Sequence, residues 1–107
     1  MPKGLGDLSG FIKQAQTMQK KIAEVQENLK NRVVEGTSGG GMVSAMVNGH
    51  QDLLKLKIDP KVVDPDDIEM LEDLIVAAVA GAMKKSRDLA KEEMSKVTGG
   101  MSIPGLM

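Results

Sequence analysis

Residues 33 to 58 read VVEGTSGGGMVSAMVNGHQDLLKLKI, and the turns and alternations in this stretch decide the fold. Val33 to Ser38 is partly β-branched, and the triplet Gly39, Gly40, Gly41 breaks the chain behind it. Met42 to Val47 then sets Met42, Ser44 and Met46 against Val43, Ala45 and Val47, so two strands joined by a glycine turn are expected. Asn48-Gly49 opens a second turn, which His50 and Gln51 lengthen beyond the minimal two residues. A third strand follows, with Leu54, Leu56 and Ile58 on one face and Lys55 and Lys57 on the other. The sheet is expected to be half buried and half wet.

Before the sheet, apolar residues fall at Leu8, Phe11, Ala15, Met18, Ile22, Val25 and Leu29, steps of three and four that specify a long amphipathic helix with Asp7 or Ser9 as its cap. Its seam is narrow, as in a coiled coil. The helix either lies along its own sheet or meets one partner element and exposes the rest. After the sheet, Asp59-Pro60 stops the third strand, and Asp64-Pro65 predicts a helix with Asp as N-cap and Pro at the first position, running to about Val97. Ile68, Leu71, Ile75, Ala78 and Ala82 form its main apolar row. Between Leu71 and Met83 apolar residues spread around most of the circumference, so a second surface is expected to cover this helix. Ala77, Ala78, Gly81 and Ala82 are small enough to admit another backbone closely. Thr98 to Met107, with Gly99, Gly100, Pro104 and Gly105, is expected to be a loosely held tail of a single domain.

Composition excludes several classes of function. A chain of 107 residues buries roughly 65% of its unfolded surface, which supports one core and leaves oligomerisation a natural supplement. There is no cysteine and a single histidine, His50, so no disulfide framework, thiolate nucleophile or multi-His metal centre can be assembled. Phe11 is the only aromatic residue, too few to stack splayed bases. The apolar run Leu74 to Met83 is far short of the ~20 residues a bilayer requires. A soluble, intracellular protein without a membrane partner is expected. The formal charge of −1 exerts no global pull on nucleic acid, so the placement of charges decides.

Few residue sets carry chemistry. Asp66, Glu69 and Asp73 have the spacing of one helix face, yet no His or Asn completes a ligand set, and acids at a helix start complement its dipole. Gly39 to Gly41 lacks the Lys-Ser/Thr pair and helix of a phosphate-binding loop. His50 has no nucleophile placed to form a catalytic unit. Neither an enzyme, a cofactor nor a small-molecule substrate is expected. The cations are better organised. Lys13, Lys20 and Lys21 lie on the first helix, and Lys84, Arg87 and Lys91 form one stripe on the second. Exposed cations so spaced meet successive phosphates of duplex DNA, which carries one charge per about 1.7 Å of axis. Pairing within the helix, as of Lys84 with Asp88 or Lys20 with Glu24, is the competing use of the same residues.

Four blocks in register across the whole chain resemble the YbaB/EbfC family of nucleoid-associated proteins. They are Gly39-Gly40-Gly41-Met42-Val43, Lys57-Ile58-Asp59-Pro60, Leu71 through Val79, and Thr98-Gly99-Gly100 leading to Pro104-Gly105-Leu106. The resemblance implies an α+β fold of a long N-terminal helix, a three-stranded antiparallel sheet and a long C-terminal helix. It further implies an intertwined homodimer with helices projecting like tweezers, and binding of double-stranded DNA with limited sequence preference in the cytoplasmic nucleoid. It places Leu71, Ile75, Ala77, Ala78, Gly81 and Ala82 near the dimer interface. The choice of Lys13, Lys20, Lys21, Lys84, Arg87 and Lys91 as DNA contacts is a physical reading of charge and spacing. The rival expectation is a dimeric adaptor or chaperone-like module whose helix seam binds another protein.

Overall fold

The computed structural model describes residues 2–97, with side chains from residue 8 onward; the expected tail over 98–107 lies outside the described residues. In chain order the elements are α1 (Pro2–Asn31), β1 (Val33–Ser38), β2 (Val43–Asn48), β3 (Leu53–Ile58) and α2 (Ile68–Val97). The strands form one antiparallel sheet in the order β1-β2-β3, as the alternation and turns require. The β1–β2 turn holds Gly39, Gly40 and Gly41 at φ of 59°, 67° and 92°. That left-handed region is open to glycine at no steric cost, which is why the turn is a glycine triplet.

One sheet face builds the core. Val43, Ala45 and Val47 of β2 are fully buried with Ala78 and Ala82, and Val62 is buried beside them. Val34, Leu56, Ile58, Leu71, Leu74, Ile75, Val79 and Met83 surround them half-buried. α2 packs over β1 and β2 and leaves β3 largely uncovered. The approach is closest at Gly36, where a methyl group would overlap the Ala78 carbonyl and the Ala82 nitrogen. The small residues of α2 therefore admit the backbone of the chain's own β1. Ser86, fully buried one turn further on, donates its hydroxyl to the Asn48 carbonyl at 2.6 Å and ties α2 to the end of β2.

Three local boundaries differ from the expectation. α1 begins at Pro2, so Asp7 and Ser9 lie within the helix instead of capping it; proline suits a first turn because its missing N–H has no helical partner there. α2 begins at Ile68. The Asp64 carboxylate accepts from the Asp66 N–H and its carbonyl from the Asp67 N–H, both at 2.9 Å, closing a separate turn, and Asp67 becomes the cap by accepting the Met70 N–H at 3.2 Å. In β3 the register shifts between Met46 and Val47, which pair with Lys55 and Leu53. Leu54 is the extra residue of that bulge. It is left exposed, and Leu53 takes the place opposite Val47.

α1 does not lie along its own sheet. Leu29 is buried and Ile22 and Val25 are half-buried, but every residue from Leu8 to Lys21 is exposed, Phe11 at 68%. At 1.5 Å per residue the 30-residue helix is about 45 Å long, and most of it projects beyond the core. The radius of gyration, 20.8 Å, exceeds the roughly 13 Å of a compact chain of this size.

Candidate nucleic-acid interface

Helical periodicity brings Lys84, Arg87 and Lys91 onto one outward face of α2, and all three are exposed. Lys84 and Lys91 are seven residues apart, about 10 Å along the axis. That length of duplex presents about six phosphate charges. Lys84 also lies 4.0 Å from Asp88, but both side chains are exposed and such a pair adds at most a few tenths of a kcal/mol, so Lys84 remains free to turn to a phosphate. Lys85, one residue on, has a different role: its ammonium donates to the Glu35 carbonyl at 2.7 Å and holds α2 against β1.

Asp88, Glu92 and Glu93 lie among these cations, and the denser acidic cluster falls at the other end of the same helix. Asp64, Asp66 and Asp67 occupy the turn before α2, and Glu69, Glu72 and Asp73 its first turns. Asp73 and Lys84 are eleven residues apart, about 16 Å, twice the screening length at physiological salt. Repulsion from this cluster therefore barely reaches the cationic stripe. Asp66 precedes the helix, so it shares no helix face with Glu69 and Asp73, and among the described residues no group of three acidic or histidine side chains is placed to hold a metal ion.

On α1, Lys13, Lys20 and Lys21 are all exposed. Lys13 and Lys21 line an open groove with Gly10, Gln14, Thr17 and Met18, closed at one side by Val97 at the end of α2. The two helices thus run antiparallel as one arm, and nearer the core Arg32, just past the end of α1, lies 3.6 Å from Glu93. Lys20 does not line the groove.

The residues expected at a dimer interface separate into two groups. Ala78 and Ala82 have no exposed surface within the subunit, because β1 covers them at Gly36. Gly81 lies beside the same contact. Leu71 and Ile75 are half-buried at the core margin, and Ala77 is exposed. The larger exposed apolar surface is elsewhere: Val76 at 66%, Ile68 and Met70 on α2, and Leu53 and Leu54 on β3. Lys55 and Lys57 add two exposed cations outside the helices, on the sheet face opposite α2. Their signal was present in the strict Lys-Leu-Lys alternation of β3.

Among the described residues no helix is long and apolar enough to cross a membrane. A nucleoid-associated protein of Caldanaerobacter subterraneus subsp. tengcongensis, TTE0040, is 51% identical over 100 residues, spanning 94% of this chain and 90% of that protein. One from Syntrophobacter fumaroxidans is 52% identical over 95 residues, spanning 89% and 86%. In three dimensions the chain is similar to the crystal structure of an uncharacterized protein, HP0035, of Helicobacter pylori, with a TM-score of 0.62 and 28% identity over 74% of this chain and 92% of that one. The model of the YbaB/EbfC DNA-binding family matches residues 4–101, nearly the whole length, and the chain belongs to that family, which is one of DNA-binding proteins and not of enzymes.

Proposed function

We propose that this protein acts in the nucleoid as a homodimer that grips duplex DNA through phosphates, with little reading of base sequence. The observation that carries the DNA contact is the exposed Lys84, Arg87 and Lys91 stripe on α2, set about 16 Å from the nearest acid of the helix start. Lys13, Lys20 and Lys21 on α1 supply further cations on the same arm. Phosphate contacts fix orientation without carrying sequence information. The only aromatic residue is Phe11, so base stacking adds nothing to selectivity within one subunit.

The dimer rests on unfilled apolar surface. α2 covers β1 and β2 but leaves the inward side of β3, with Leu56 and Ile58, beside the flank of α2 that carries Ile75, Val76 and Val79. A second copy laid along that trough buries what a chain of this length otherwise leaves wet. Leu71 and Ala77 border the same region, whereas Ala78 and Ala82 serve the subunit's own core.

A gel shift on duplex DNA with Lys84, Arg87 and Lys91 changed to Glu tests the reading. Loss of the shifted band with an unchanged dimer mass supports it. A wild-type protein that shifts no DNA at low salt refutes it and favours the second reading, a protein-binding adaptor, for which the exposed Leu8, Phe11, Ile12 and Met18 of α1 are the specific observation.

A further inference from the structure

The turn between β2 and β3 is built around the end of α1. The Gly49 N–H donates to the Leu29 carbonyl at 2.8 Å and to the Arg32 carbonyl at 3.0 Å. Carbonyls at a helix C-terminus lack helical donors, so this turn supplies what water otherwise provides. Gly49 is the residue that fits, since a Cβ there would stand 2.6 Å from the Leu29 oxygen. His50 reaches one turn further back and donates its Nε2–H to the Gln26 carbonyl at 2.6 Å.

The turn is itself held rigidly. The Asn48 side-chain oxygen accepts the His50 N–H at 2.9 Å and the Asp52 N–H at 3.0 Å, and its amide donates to the Asp52 carboxylate at 3.2 Å. The Asn48 carbonyl takes the Ser86 hydroxyl from α2. Gln51 stands at φ 66°, a left-handed conformation that costs a non-glycine residue roughly 1 kcal/mol and persists where its surroundings over-determine it.

We propose that the Asn48–Asp52 turn is the seat that sets the direction of α1, with Gly49 and His50 as positioning residues for the DNA grip; the second half rests on the reading of the preceding subsection. Among the described side chains of α1 none N-terminal to Ile22 is buried, so its direction is decided near the core, at the seat and along its contact with α2. Lys13 lies sixteen residues from Leu29, about 24 Å along the helix, and a tilt of about 10° at the seat moves it about 4 Å. That displacement breaks a direct phosphate contact. The Arg32–Glu93 pair, exposed on the Arg32 side, is too weak to replace the seat.

The chain has no cysteine, so Gln16→Cys and Thr37→Cys, both at exposed positions, place spin labels uniquely on α1 and the sheet. Distances are measured in the full chain diluted with unlabelled protein, and affinity for a mixed-sequence duplex is measured alongside. His50→Ala is expected to broaden the distance distribution and, if the arm then spends a tenth of its time in the productive direction, to weaken binding about tenfold. His50→Gln keeps an N–H donor at similar reach and is expected to restore both readouts. Gly49→Ala should act like His50→Ala, and a circular dichroism melt checks that it folds. An unchanged distribution in His50→Ala overturns the seat, and a broadened one with unaltered affinity overturns its role in the grip. If the protein with an intact turn binds no DNA, the DNA reading falls and the role in the grip with it, while the distances still decide the seat.

Discussion

Gly36 of β1 and Ala82 of α2 meet backbone to backbone, and no side chain fits between them. Gly36→Ala forces α2 away from the sheet and disturbs Ala45 and Val47 beneath it. Overpacking of this kind costs about 1–3 kcal/mol, and the upper end is expected because backbone atoms cannot rotate aside. Chemical denaturation of the variant checks this; an unchanged midpoint would show that the helix sits further out.

Ser86 and Asn48 make the second fixed point between α2 and the sheet, in a site with no exposed surface at Ser86. Ser86→Ala removes a donor and leaves the Asn48 carbonyl without this partner. A loss of about 1–2 kcal/mol is expected. Ser86→Thr is expected to be no better, since an added methyl has no space in a closed core. Thermal unfolding of both variants supplies the measurement.

The proposed phosphate grip makes affinity fall steeply between 50 and 200 mM salt, roughly as the number of phosphates neutralised. Changing Lys84, Arg87 or Lys91 singly to Ala removes one cation from each subunit and is expected to lower the slope of log affinity against log salt by about two per dimer. Lys85→Ala is expected to leave that slope unaltered and to weaken the fold slightly, because its ammonium is engaged by Glu35. Fluorescence anisotropy across a salt series separates the two kinds of lysine.

Val76 is two-thirds exposed in the single chain, so Val76→Asp costs the subunit itself little. Buried against a second copy, the same carboxylate would be costly. Light scattering at micromolar concentration is expected to give a dimer mass for the wild type and a monomer mass for the variant. A monomeric wild type would remove the dimer from the proposal.

The chain order of helix, three strands and helix was legible in the residues because each element is specified locally. The period of Leu8 to Leu29, the alternation of Val43, Ala45 and Val47, and the glycine triplet each act over a few neighbouring positions. The start of α2 lies a few residues beyond the one expected because Asp64 and Asp67 are both competent caps, and only the hydrogen bonds already used in the intervening turn distinguish them.

For the candidate site, the sequence alone determined which cations share a helix face, since 3.6 residues per turn is a property of the helix. The tertiary structure decided what the small residues of α2 admit, because Gly36 and Ala82 are forty-six positions apart and nothing local links them. It likewise decided that Lys85 is tied down while Lys84 is not, and that α1 leaves its sheet and runs beside the end of α2. Periodicity assigns a residue to a face; only packing between distant segments determines what that face meets.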